Sequence, residues 1–345
     1  MSSSEADESA VLSGLEKRRT VVNEAIDDDL PIDSPERLYD ASRYLLEAGG
    51  KRLRPALLLL VAEALVDVDP AEIDYRSFPT LHGEEIDLLK AALSIEVIQS
   101  FTLIHDDIMD DDAVRRGVPA VHEAFDLETA ILAGDTLYSK AFEIMLATGA
   151  PTERSIRALQ VLAETCTRIC EGQAMDIAFE DTEDVGIDAY RDMIELKTAV
   201  LFRAAAAIPA ILLGADDETV EALGQYGLTV GEAFQIHDDV LDLTVPSDTL
   251  GKQRGSDLVE GKRTLITIHA EEQGIDVESI RPETPDKAAI DEAVKQLDAV
   301  GSLEYARSEA HRLVDTGTNQ LGALPDNESH RLLEELAYYL IEREY

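Results

Sequence analysis

The chain has no tryptophan, two cysteines and only nine lysines among its 345 residues. Each scarcity excludes something. Cys166 and Cys170, one helical turn apart, build neither a disulfide framework nor a cysteine zinc site, and read as small buried apolar side chains. Basic residues are outnumbered 71 to 30, giving a net charge of −41. A surface of that sign repels nucleic acid and anionic membrane, so neither is an expected partner. The carboxylates are spread along the whole length rather than gathered in a tail, the pattern of a surface adapted to concentrated salt. Apolar runs such as LLLLVAEAL and AAAAIPAILLG are short or interrupted, which argues against stable membrane insertion. The opening MSSSEADESA has no basic stretch and no apolar stretch, so it is no signal peptide; residues 1–10 are expected to be disordered and the setting cytoplasmic. Where lysine is so disfavoured, the few that persist are informative, and Lys51, Lys197, Lys252 and Lys262 all fall in motifs described below.

What the chain does have is helical periodicity. Apolar residues recur at three and four nearly everywhere, and alternation is scarce. Helices are expected near 7–28, 35–48, 53–67, 86–110, 122–148, 152–179, 188–213, 217–243, 263–272, 287–300, 302–318 and 328–342. Gly49-Gly50, Gly149-Ala150-Pro151 and Gly214 supply stops. The longest irregular pieces are expected near 67–85 and 244–262. The stretch 196–213 is apolar nearly all round and belongs in a bundle's centre, with Pro209 kinking or ending it locally. The expectation is an all-α helical bundle around a deep apolar cavity, one domain over 1–345.

One pattern occurs twice: HDDIMD at 105–110 and HDDVLD at 237–242. On a helix Asp106 and Asp110 point from one face, with Asp107 at its edge; Asp238, Asp239 and Asp242 repeat the geometry. Either cluster alone also reads as a solvated acidic face. Both, however, end strongly apolar helices, and both are followed by basic residues in a base-poor chain. Inside a bundle, like charges at this spacing call for a divalent cation, and oxygen donors without soft ligands suit Mg²⁺. His105 and His237 lack nitrogen or sulfur partners nearby and read as packing residues or supports.

The cations gather as well. GGKRLRP at 49–55 joins a flexible turn to a helix start and carries Lys51, Arg52 and Arg54 together. A phosphate there would meet backbone N–H groups and cationic side chains. Arg115 and Arg116 add two guanidinium forks suited to phosphate. The segment GKQRGSDLVEGKRTL at 251–265 is a glycine-rich basic loop without Walker spacing. Two cationic sites and two metal sites on an apolar bundle suit long apolar diphosphates.

In order, GGKRLRP, EVIQSFTLIHDDIMDDDAVRRG, EGQAMD, KTAVLF, GEAFQIHDDVLD and GKQRGSDLVEGKRTL span roughly 35–270. With these motifs the chain resembles the short-chain trans-isoprenyl diphosphate synthases, most like the archaeal geranylgeranyl type. The resemblance implies a homodimer that condenses isopentenyl diphosphate head-to-tail with dimethylallyl, geranyl or farnesyl diphosphate. The product implied is geranylgeranyl diphosphate, with farnesyl diphosphate beside it. It further implies that Lys51, Arg54, Gln99 and Arg116 hold isopentenyl diphosphate. Asp106, Asp107, Asp110, Asp238, Asp239 and Asp242 would ligate two or three Mg²⁺, with Mn²⁺ as a substitute. Arg115, Lys197, Lys252 and Lys262 would grip the allylic diphosphate, while Thr198 and Gln235 face the developing carbocation. Asp106, Asp110, Lys197, Asp238 and Asp239 would thus carry the chemistry.

Two features depart from common relatives: Gln99 stands where many have histidine, and the tail LIEREY lacks a strongly basic end that could close the site. Ile98, Phe101 and Thr102 are the candidates for setting product length. Phe101 lies about 7.5 Å up the helix from Asp106, where an aromatic ring could obstruct a growing tail. It also reads as a plain packing residue. A terpene cyclase would not need GGKRLRP, and a non-catalytic partner subunit would not need both aspartate clusters.

Overall fold

The computed structural model describes residues 3–68, 73–180, 182, 185–247, 253–282 and 286–343, with the side chains of 3–8 and 180 outside that description. The described chain is almost wholly helical. In order come α1 (Ser3–Asp29), α2 (Glu36–Glu47), α3 (Leu53–Val66), α4 (Leu88–Met109), α5 (Val121–Ala124), α6 (Leu127–Leu146), α7 (Thr152–Glu180), α8 (Ile187–Ile194), α9 (Val200–Leu213) and α10 (Asp217–Thr244). Then follow α11 (Ser256–Glu260), α12 (Leu265–Glu272), α13 (Val277–Ile280), α14 (Lys287–Ala299), α15 (Ser302–Thr318) and α16 (Glu328–Glu342). The only strands among the described residues are two antiparallel pairs of two residues, 78–79 with 85–86 and 114–115 with 118–119. The all-α expectation holds.

Contacts group the chain into two compact units. The first comprises Met1–Cys166, Leu201–Gly224 and Leu321–Leu336. Its centre is α4, which packs on α6, α3 and α1. Asp87 starts that helix by accepting from the Lys90 N–H at 3.2 Å. From Leu88 to Ile98 its residues are buried save Lys90, so no single apolar stripe is needed. A buried charge ties the unit together: Glu63 accepts from Arg18, from the Tyr75 hydroxyl at 2.6 Å and from Ser329 at 2.8 Å. The second unit comprises Thr167–Val200, Gln225–Gln320 and Ala337–Tyr345. There α12 packs on α15 and α8, and α14 lies against α15.

Several expectations are corrected. The helix expected over 122–148 is two, α5 and α6, and Cys170 is exposed while Cys166 is buried. Of the two effects expected of Pro209, ending the helix is excluded, because α9 continues to Leu213. The stretch 188–213 is not one regular α-helix either: Glu195–Ala199 forms a π-helical turn between α8 and α9. Both Leu88–Met109 and Ile187–Leu213 are long and apolar enough by composition to span a membrane, yet 67% and 83% of their most apolar windows are buried inside the protein.

Candidate active site

In the first unit, α4 delivers its aspartates at its C-terminal end. Backbone carbonyls there already carry partial negative charge, so carboxylates are disfavoured unless a cation joins them. Asp106 and Asp110 are half-buried and Asp107 is fully buried. Arg115, carried on the 114–119 hairpin, donates Nε to Asp107 Oδ1 at 2.6 Å and Nη2 to Asp112 at 2.7 Å. The other oxygen, Asp107 Oδ2, is buried without a hydrogen-bond partner. Burial pushes the Asp107 carboxyl up to about 6 against the lowering pull of Arg115, and Asp112 and Asp106 add smaller repulsions. Asp107 thus faces Arg115, whereas the pair at four-residue spacing, Asp106 and Asp110, keeps some exposure. His105 spends its Nε2 on the Ile131 carbonyl at 3.2 Å, a packing role toward α6.

The expected diphosphate cations of this unit divide sharply. Lys51 is exposed and Arg54 half-buried, with its guanidinium 4.3 Å over the Phe202 ring. Gln99 is half-buried. Arg52 is not displayed beside them; it is 3% exposed and paired with Glu96. Arg116 also turns inward, donating to the Leu45 carbonyl at 2.8 Å and to Glu96 at 3.4 Å. Of the residues expected to set product length, Ile98 is fully buried, and Thr102 bonds back to the Gln99 carbonyl at 2.8 Å. The Phe101 ring meets His105 and Tyr138 edge-on, at 5.0 and 5.3 Å between centroids.

In the second unit, α10 carries Asp238, Asp239 and Asp242. Asp239 is buried and accepts from the Tyr190 hydroxyl at 2.7 Å and from Gln235 at 3.0 Å. Gln235 in turn accepts from Thr198 at 2.9 Å, so residues expected near the carbocation form one hydrogen-bonded chain. Burial, then the Asp257 charge, push the Asp239 carboxyl upward despite those two donors. Asp242 accepts from Ser256 at 3.1 Å and from the Asp257 N–H at 3.3 Å. Asp238 remains partly exposed and receives Arg343 at 2.7 Å. His237, buried, bonds the Arg343 carbonyl at 3.1 Å.

The π-helical turn positions Lys197 and Thr198 in this unit. One extra residue in the turn widens the helix, and α7 has to admit it. It does so at Gly172, where a β-carbon would lie 2.3 Å from the Lys197 backbone nitrogen. One turn on, Asp176 accepts from Lys197 Nζ at 2.6 Å. Lys262 sits 3.1 Å from Glu260 and 3.9 Å from Asp257. Lys252 lies outside the described residues. Sequence reasoning missed Glu96, Asp176, Tyr190 and Arg343; of these Glu96 and Asp176 stood in motifs, at the start of EVIQSFTLIHDDIMDDDAVRRG and the end of EGQAMD.

Among the described residues, no three His, Cys, Asp or Glu side chains converge as a ready-made metal cage. Mg²⁺ needs none: it is held by one or two carboxylates together with water and substrate phosphates. The donors fit it, being carboxylate oxygens alone, with Asp107 Oδ2 buried and unpartnered.

Residues 35–297 match the family model described as "Polyprenyl synthetase". The chain is 64% identical over 335 residues to a geranylfarnesyl diphosphate synthase of Natronomonas pharaonis, covering 97% of this chain and 98% of that one. It is 46% identical to a geranylgeranyl diphosphate synthase of Methanosarcina mazei, covering 96% and 97%. The solved geranylgeranyl pyrophosphate synthetase of Geoglobus acetivorans superposes with a TM-score of 0.85 at 43% identity, covering 95% and 99%.

Proposed function

The chain belongs to the polyprenyl synthetase family, and within it we propose a Mg²⁺-dependent condensation of isopentenyl diphosphate with an allylic diphosphate. It is a prenyltransferase that elongates toward geranylgeranyl diphosphate or a related product. The observation that carries the finer reading is that each aspartate cluster already leans on one cation of its own unit, Arg115 for Asp107 and Arg343 for Asp238. In each cluster burial also pushes one carboxyl upward, Asp107 and Asp239, so that a bound cation would ease its ionisation.

Asp106, Asp107, Asp110, Asp238, Asp239 and Asp242 are the proposed Mg²⁺ ligands, Asp107 through the Oδ2 that Arg115 leaves unpartnered. When bound, the metal supplies charge neutralisation of the departing diphosphate. Arg115, Lys197, Lys252 and Lys262 orient the allylic diphosphate, while Lys51, Arg54, Gln99 and Arg116 hold isopentenyl diphosphate. The allylic C–O bond ionises, the isopentenyl double bond attacks the cation, and the released diphosphate takes the proton. Thr198 turns its oxygen lone pairs on the developing cation, held by its bond to Gln235. Buried apolar helices keep water from that cation.

The proposed product is geranylgeranyl diphosphate. A second reading, one isoprene unit longer, is favoured by the name of the Natronomonas pharaonis relative. A homodimer in the cytoplasm is proposed as well, supported by the exposed apolar residues Leu127, Ile131, Leu132 and Leu146 on α6. One domain over 1–345 is proposed to hold both clusters. The test incubates purified protein with labelled isopentenyl diphosphate and each allylic primer, with Mg²⁺ in concentrated salt, and chromatographs the dephosphorylated products. Elongation lost in Asp106→Ala is the expected result. No elongation by the unaltered protein, or full activity in that variant, would overturn the reading.

A further inference from the structure

Glu96 carries no assigned role, yet two arginines of different segments converge on it. It is 3% exposed on α4, one turn before Gln99. Arg52 and Arg116 both donate to its Oε1. Arg52 also donates Nε to Asn23 at 3.0 Å and Nη2 to the Leu46 carbonyl. Arg116 donates Nη1 to the carbonyls of Leu45 and Gly49, at 2.8 and 2.5 Å. Both arginines hold left-handed backbones, φ 51° and 53°, which a residue with a β-carbon adopts only when its surroundings hold it there. Gly50, at φ 151°, lies flat against the Arg116 guanidinium, where a β-carbon would come within 3.0 Å of Cζ.

We propose that Glu96 is the positioning residue of the isopentenyl diphosphate subsite, locking Arg116 and the Gly49–Arg54 turn into one rigid cradle. Through Arg116 it sets a guanidinium proposed to meet phosphate. Through Arg52 it fixes the turn that displays Lys51 and Arg54 on either side. Glu96 itself is too deeply buried to touch substrate. Its single negative charge also lets two cations approach each other without driving the turn open. This rests on the function proposed above and deepens it, since it concerns one of the two substrates alone.

The test separates positioning from mere support of the fold. Glu96→Gln keeps the shape and removes the charge; Glu96→Asp keeps the charge and shortens the reach. Arg52→Lys removes the guanidinium fork without touching Glu96. In Glu96→Gln the KM for isopentenyl diphosphate is expected to rise about tenfold or more, with kcat and the allylic KM within about threefold of the unaltered protein. Glu96→Asp should recover part of that loss, and Arg52→Lys should reproduce it. Calorimetric titration with isopentenyl diphosphate alone should weaken in parallel. Folded variants with unchanged isopentenyl diphosphate KM, or with both substrate KM values raised together, would overturn the proposal. So would failure of both Glu96→Gln and Arg52→Lys to fold, which would assign the trio to stability. Absence of elongation by the unaltered protein would instead overturn the function on which the proposal rests.

Discussion

Glu232 offers a test in which sign and size both follow from the structure. It lies on α10 one turn before Gln235, half-buried, and its carboxyl is pushed up from 4.5 to about 7. Burial is the main cause and the Glu195 charge the next; Arg191 and Arg312 oppose both. Those arginines help little because each also serves Glu309. Between pH 4.5 and 7 the folded protein holds a proton there that the unfolded chain has lost. Stability from this group is therefore fully present below about 4.5 and falls as pH rises to about 7, then stays level. At 1.36 kcal/mol per pH unit the rise corresponds to roughly 3 kcal/mol at most, and partial exposure to solvent reduces it to about 1–2 kcal/mol. Glu232→Gln should then unfold at higher urea than the unaltered protein at pH 8, with the gap closing at pH 5. Equal midpoints at pH 8, or parallel pH profiles for the two proteins, would refute the assignment of a strained carboxylate at this position.

Three further outcomes are expected. Phe101→Ala removes the ring that abuts His105 and Tyr138, whose breadth is comparable to one isoprene unit, and should lengthen the products by about one such unit; an unchanged chromatogram would move the determinant of length elsewhere. Gly172→Ala forces a β-carbon against the Lys197 backbone and should cost about 1–3 kcal/mol in urea unfolding as well as most of the activity; a stable, active variant would show that α7 and the π-helical turn part easily. Arg343→Gln frees Asp238 from a buried guanidinium and should tighten Mg²⁺ binding several-fold in calorimetry; unchanged affinity would mean that Asp238 takes no part in holding the ion.

The aspartate spacing, the apolar helices leading into it and the cationic motifs were all legible in the sequence, because helical periodicity relates residues three and four apart. Most helix ends fell within a few residues of expectation for the same reason, since Asp87 and Gly214 act on their immediate neighbours; the helix expected over 122–148 is the exception, broken ahead of Leu127 where Asp126 caps α6. Inward-turning arginines were not legible. GGKRLRP read as three cations on display, whereas Arg52 is buried by Glu96, 44 residues away, and Arg116 bonds Leu45, 71 residues away. Nothing in a local pattern states which of several arginines meets a carboxylate and which meets solvent. The π-helical turn escaped notice because its cause sits on another helix, at Gly172.

The sequence by itself determined the family and the helical class and nominated the residues proposed for diphosphate chemistry, since each depends on residue type and near spacing. Tertiary structure alone decided their partners: Asp107 for Arg115, Tyr190 for Asp239, Asp176 for Lys197, and Arg343, 105 residues on, for Asp238. A buried charge must find its counter-charge wherever the chain brings one. That choice is made by packing, not by periodicity.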